Sequence, residues 1–393
     1  MTVARRELPI LAAAFLDLLG FGMIVADIQL RAESLVPKGW PIGLLVGGLL
    51  ASTFVIQLIV SPIWGRLSDA KGRKPIMIAC TLLSAAAMLV YGLAGSLWVL
   101  LLSRVLSGFG AANVAVAQAY LSDSSDPDSR TAIMGRFGAA TSAGLVVGPA
   151  LGGFLAAAGG NLYVGLTAGA ASMAGALWMA LGVPSAPPTL AKAATKRSRF
   201  NLGLLADVPR LRPLVLIAVV AWLSLATLEG TFARLIEHLF HYDQRHFGVI
   251  FGFESILGVA VQALLVGWAA KRLNPRTLLR CAYCVQGVGL GLNPFAGALA
   301  PAVIPFVLLL AASTLYAIGA GIANPTVNSQ CSRLAPEDRQ GELFGLLQGT
   351  RSAGFVIGPL VGGSLFDWNP AAPYLLAAIV CCSAAFLVPK LAN

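Results

Sequence analysis

Polar residues are so sparse in this chain that its hydrophobic runs almost touch. Runs near the roughly 20 residues needed to cross a bilayer fall at 8–28, 42–64, 74–95, 97–120, 131–158 and 161–183. They resume at 213–237, 247–270, 277–297, 300–328, 341–366 and 371–390. The pattern predicts an all-α integral membrane protein of twelve transmembrane helices. These form an N-terminal six-helix bundle over 1–183 and a C-terminal one over 213–393. Residues 184–212, with Pro184, Pro187, Pro188, Lys192, Lys196, Arg197 and Arg199, form the one sizeable polar connection and read as a tether.

Within this pattern one stretch occurs twice. Ser142-Ala143-Gly144 leads into Gly148-Pro149 and Gly152-Gly153, and Ser352-Ala353-Gly354 leads into Gly358-Pro359 and Gly362-Gly363. A soluble helix would lose about 1 kcal/mol per interior Gly and about 3 for the Pro. Between membrane helices, neighbours re-satisfy the freed backbone groups and small residues permit close approach. The fifth and eleventh spans are therefore predicted to be equivalent, kinked and glycine-lined. Weaker echoes pair Asn113 and Gln118 of the fourth span with Asn324 and Asn328 of the tenth. Pro127-Asp128-Ser129-Arg130 likewise echoes Pro336-Glu337-Asp338-Arg339. Two parallel six-helix repeats are a transporter architecture whose site lies at the repeat interface.

Composition sharpens this picture. The chain is 57% hydrophobic and 11% charged, against about 25% charged in soluble domains. Its formal charge of +10 does not imply nucleic acid, because most Lys and Arg sit in short loops, as cytoplasmic loops do. Placing both termini inside the cell puts Arg66, Lys71, Arg73, Lys74, Arg130, Arg136, Lys271, Arg272 and Arg339 on the cytoplasmic side. The expected location is thus the plasma (inner) membrane, without a cleavable signal peptide. The six cysteines lie in or beside apolar runs, and Cys281-x-x-Cys284 lacks a second pair, so they read as small hydrophobes. His238, His241 and His246 with Asp243 read as a solvated outer loop rather than a metal site. No phosphate-binding loop and no nucleophile–base arrangement is present, so neither nucleotide-driven transport nor an enzyme is expected. No cofactor is expected, and the protein should be monomeric.

Ionisable residues inside apolar runs are costly and functional by default. Asp17 in the first span is expected to face a central cavity and to contact substrate or carry a proton. Glu229 and Glu254 lie deep in spans seven and eight. Arg351 in span eleven, where the first half has Thr141, is expected to pair with one of these acids, with Glu254 the suggested partner. Asp27 lies near the outer end of span one. Asn113, Gln118, Asn324 and Asn328 offer further polar contacts or interhelical hydrogen bonds.

The loop after span two reads Gly65-Arg66-Leu67-Ser68-Asp69-Ala70-Lys71-Gly72-Arg73-Lys74-Pro75. It resembles the loop signature of the major facilitator superfamily, while Gly267 to Arg276 is a degenerate second copy. Leu16-Asp17-x-x-Gly20-x-Gly22-x-Ile24 and Gly144-x-x-x-Gly148-Pro149-x-x-Gly152-Gly153 resemble the first and fifth helices of tetracycline-type drug/proton antiporters. Val25-Ala26-Asp27 stands where that family usually carries a proline. The resemblance implies that Asp69 caps helix eleven near Gly341. It also implies that Arg73 pairs with Asp69 and Asp123 to gate the outward-open state. Arg104, in Arg104-x-x-x-Gly108, is implied to take part in proton coupling. The implied function is a proton-coupled exporter of small amphipathic compounds or drugs. The alternative is an exporter or uniporter of a specific metabolite, siderophore or metal ion.

Overall fold

A computed structural model of the protein describes residues 3–124, 127–184, 203–296, 304–336 and 339–389. Most of the basic linker, including Lys192, Lys196, Arg197 and Arg199, lies outside the described residues, as do Glu337 and Asp338. The side chains of Arg5, Arg6 and Arg130 lie outside them as well.

The described residues are helical and contain no strand. In chain order the helices are α1 (Val3–Leu35), α2 (Ile42–Lys71), α3 (Arg73–Gly92), α4 (Leu97–Gly110), α5 (Asn113–Asp123), α6 (Pro127–Gly182) and α7 (Gly203–Asp207). They continue with α8 (Leu211–Phe240), α9 (Gln244–Ala260), α10 (Val266–Arg272), α11 (Pro275–Leu292), α12 (Ile304–Leu334), α13 (Gln340–Trp368) and α14 (Ala372–Leu387). Eight continuous stretches among the described residues are long and apolar enough to cross a membrane. One of them, Ile133–Gly182, is 50 residues long, about 75 Å if straight. It breaks at Gly159–Gly160, where Gly160 takes φ 61°, and so supplies two spans. The helices cover all twelve apolar runs.

The sequence explains most interruptions. Gly72 adopts φ 94° between α2 and α3, a left-handed conformation cheap only for glycine. Ser96 caps α4 by accepting from the Val99 amide. Asn274 caps α11 by accepting from the Thr277 amide, with Pro275 pre-set for the first helical turn. Three departures from the sequence expectation stand out. Span four is one continuous stretch, Leu97–Asp123, whose helical hydrogen bonding loosens at Ala111–Ala112, between α4 and α5, while both residues stay in the right-handed helical region. Span eight contains a π-helical turn, Val261–Leu265, between α9 and α10. The end of the linker is not a plain tether, since it folds into α7, whose Asp207 accepts from Arg339 at 2.7 Å.

The helices pack as two compact units. Unit 1 comprises Met1–Lys38, Leu49–Thr195 and Asp243–Val249. Unit 2 comprises Gly39–Gly48, Lys196–Tyr242 and Ile250–Asn393. In unit 1, α1 runs along α6, and α3 packs against α4 and α6. In unit 2, α8 runs along α13, and α11 packs against α12 and α14. The first turns of α2 and α9 thus belong to the unit opposite to the rest of their own helix or half.

The repeated glycine motif sets these packings. A Cβ on Gly144 would lie 2.6 Å from the Phe15 carbonyl oxygen, and one on Gly148 would lie 2.7 Å from Gly22 Cα. Gly152 likewise has no room for a side chain beside the Met23 carbonyl. In unit 2 a Cβ on Gly354 would lie 2.7 Å from Trp222, and one on Gly358 2.7 Å from Ala226. A Cβ on Gly362 would lie a tight 3.0 Å from the Thr227 methyl and 3.4 Å from that of Thr231. The last glycine of each copy faces elsewhere: Gly153 abuts Gln244 and Gly248 at the start of α9, and Gly363 abuts Gly43 at the start of α2.

Candidate functional site: buried charges within each unit

In unit 1, α1 carries two buried acids. Asp17 is held from two sides: Ser172 of α6 donates to Oδ1 at 2.9 Å, and Ser84 of α3 donates to Oδ2 at 3.4 Å. Asn113 adds a further side-chain hydrogen bond and itself donates to Thr81 at 2.8 Å. Asp17 therefore faces the interior of unit 1, among neutral donors. Asp27 lies ten residues further along α1, is also buried, and accepts from the Tyr91 hydroxyl of α3. Arg31 and the Gln244 side chain also act on it.

Arg104 of α4 is 3% exposed. Its guanidinium lies 5.3 Å from the Tyr91 ring centroid, and its Nε donates to Ser103 at 3.2 Å. Gly108, the glycine one turn on, has no room for a Cβ beside Thr53 and Ile56 of α2. The motif containing Arg104 therefore has a packing reason for its glycine as well as a charged residue.

The loop motif is built around Arg73. Its Nη2 pairs with Asp69 at 2.7 Å and with Asp123 at 3.1 Å, and its Nη1 donates to Ser68 at 2.7 Å. Gly72 sets the direction of the chain. Gly65 has open space around it, and Lys74 is half-buried. Sequence reasoning missed Glu7, a buried acid of α1 paired with Arg136 at 3.3 Å.

Unit 2 holds a second group of charges, with Glu254 buried and Glu229 and Arg351 half-buried. Arg351 of α13 lies 5.1 Å from the Trp222 ring and 5.7 Å from the Phe355 ring, so aromatic residues of α8 and α13 flank it. Its acidic neighbour is Glu229 of α8 rather than Glu254. Glu254 of α9 takes a hydrogen bond from Ser313 of α12 and lies close enough to Glu229 for the two carboxylates to interact. Tyr316, buried beside both acids, accepts a hydrogen bond from the Gln286 side-chain amide. Asn324 is half-buried, whereas Gln118 and Asn328 are exposed.

A third ionic cluster joins the first turn of α2 to the end of α13. Asp367 accepts from the Gly43 amide at 2.6 Å and from Arg234 of α8 at 3.1 Å. Arg234 is 2% exposed and lies 4.5 Å from the Phe366 ring. Arg234 is a charge within an apolar run, and its partner Asp367 lies 133 residues further along the chain. Among the described residues no group of three His, Cys, Asp or Glu is placed to hold a metal ion. His241 closes α8 in a left-handed conformation, φ 55°, and His246 hydrogen-bonds Asp243 at 2.7 Å.

Comparison with known proteins adds a family. The model described as Major Facilitator Superfamily matches residues 10–350 and, separately, 214–392. Multidrug resistance protein 2 of Bacillus subtilis (strain 168) is 26% identical over 376 residues, covering 94% of this chain and 91% of that protein. Tetracycline resistance protein, class G, of Vibrio anguillarum is 28% identical over 374 residues, covering 90% of each. The crystal structure of a D-xylose-proton symporter shares the fold, with a TM-score of 0.78, 13% identity and 98% coverage of each chain.

Proposed function

The chain belongs to the Major Facilitator Superfamily, and on that footing we propose that it is a proton-coupled exporter of small amphipathic compounds, working by alternating access. It is a transporter and not an enzyme. Support for the cargo class comes from relatives named for multidrug and tetracycline resistance that match it over nearly its whole length. The basic loops support placement in the plasma (inner) membrane with both termini cytoplasmic. Its partners are small molecules, protons and lipid, with no role for nucleic acid, and the transporting species is a monomer.

The observation that carries the reading is the Glu229–Arg351 pair flanked by Trp222 and Phe355, with Glu254 alongside. A charge placed in hydrocarbon costs about 2.5–3.5 kcal/mol, so three ionisable groups gathered here support a use in transport. A carboxylate that interacts with both a guanidinium and a second carboxylate has two ways to be neutralised, by a proton or by a cationic cargo. Either event changes what Arg351 is paired with, and this competition couples cargo to proton. Asp27 and Arg104 form the corresponding buried charges of unit 1, and Asp17 can hold a proton among neutral donors. The Arg73 ion pairs support a role for the loop in gating.

The test uses purified full-length protein in liposomes with an imposed pH gradient, and tetracycline and ethidium as probes. Uphill movement of either probe that collapses with a protonophore is expected. Flux indifferent to the gradient would overturn proton coupling, and would favour a uniporter of a narrower metabolite.

A further inference from the structure

Asp27 and Arg104 are both buried in unit 1, at 5% and 3% exposure, and Tyr91 between them is fully buried. The Tyr91 hydroxyl donates to Asp27 Oδ2, and the face of its ring carries the Arg104 guanidinium at 5.3 Å. We propose that Tyr91 is the positioning residue through which a proton arriving at Asp27 is felt at Arg104. The role rests on the proton-coupled reading above.

The geometry explains why one side chain serves both. A phenol hydrogen-bonds an ionised carboxylate strongly. It also presents an electron-rich face to a cation, and that attraction grows when both groups are desolvated. When Asp27 takes a proton it ceases to be an acceptor of the same strength, and the phenol loses its anchor. The ring can then tilt, and the surface under Arg104 changes with it. Arg104 has few competing attachments: Nε reaches only Ser103, and Nη2 finds no hydrogen-bond acceptor among the described residues. The other groups facing Asp27 are Arg31, whose Nη2 is committed to the Ala94 carbonyl at 2.6 Å, and Gln244. Neither contacts Arg104 in the way that Tyr91 does.

Tyr91→Phe keeps the ring and removes the hydroxyl. With the reconstituted full-length chain and tetracycline as probe, two rates are compared: uphill transport driven by a pH gradient, and counterflow exchange without one. The ratio of the first to the second is expected to fall about tenfold, the scale of a lost hydrogen bond to a charged group. An unchanged ratio overturns the proposal. So does a parallel fall of both rates with a lowered thermal midpoint, which would mark a structural residue. Should Tyr91→Phe fail to fold, Asp27→Asn must lower the same ratio by a similar factor, and a wild-type ratio there overturns the proposal equally. Absence of gradient-driven transport by the wild type would instead sink the underlying function, and the tyrosine's role with it.

Discussion

Arg351 lies between Trp222 and Phe355 with Glu229 as its acidic neighbour, and its guanidinium is charged in any surroundings. Removing one member of such a pair strands the other. Arg351→Ala is expected to destabilise by about 2 kcal/mol, less than the 3–5 of a fully buried pair because Glu229 is half-buried. Glu229→Gln in the same chain should recover part of that loss. Thermal unfolding of both single variants and the double variant checks this, and strict additivity would deny the pairing. Outside the membrane, Asp243 accepts from the Arg245 and His246 amides at 3.1 and 3.3 Å and from the His246 ring. Burial alone would raise its carboxyl, but the His246 hydrogen bonds outweigh it and hold the group below the usual carboxylate range. Its contribution is thus complete above the unfolded value of about 3.9 and is lost as pH falls through the lower folded value. Asp243→Ala should cost about 1 kcal/mol at neutral pH as a lost helix cap. Faster amide exchange in the first turn of α9 would register it. At this scale the sequence exposed the charges, since Asp27, Arg104, Glu229 and Arg351 interrupt apolar runs. It could not expose Tyr91, Ser172, Trp222 or Phe355, which look like ordinary membrane residues until a charge is found beside them.

The helices α6 and α13 show what the repeated motif is for. Gly144, Gly148 and Gly152 let α1 lie against α6 backbone to backbone, and Gly354 and Gly358 do the same for α8 and α13. Gly138, six residues before Gly144, has open space around it. Gly152→Ala is therefore expected to separate α1 from α6 and abolish stable folding, because backbone rather than a movable side chain stands in the way. Gly138→Ala should stabilise by up to about 1 kcal/mol through helix propensity alone. Size-exclusion profiles and thermal midpoints of the two variants make the contrast, and equal behaviour would refute the packing role. The motif itself was legible because two matching copies of a costly pattern do not arise by chance. That Gly153 and Gly363 turn away to meet α9 and α2 was not legible, since it depends on which neighbour lies on the remaining face. The loosened turn at Ala111–Ala112 directly follows Gly108 and Gly110, whereas the π turn at Val261–Leu265 contains no Pro or Gly to announce it.

Apolar helix-forming runs were readable from hydrophobicity, because a bilayer enforces length and backbone satisfaction more strictly than water does. Packing was less readable. Compact unit 1 takes in Asp243–Val249, and unit 2 takes in Gly39–Gly48, so spatial membership departs from chain order. Segments this short at helix starts give no sequence signal for which body they join.

This exchange of helix starts has a genetic consequence. A gene cut inside the linker would encode a fragment 1–195 deprived of 243–249 and a fragment 196–393 deprived of 39–48. Neither product should be monodisperse when made alone, while co-production should yield a single species on fluorescence-detected chromatography. A well-behaved solitary fragment would disprove it. If the internal repeat marks an ancestral duplication, the traded segments act as a ratchet: after the swap, fission back into two independent genes would leave each daughter lacking a piece that only the other encodes.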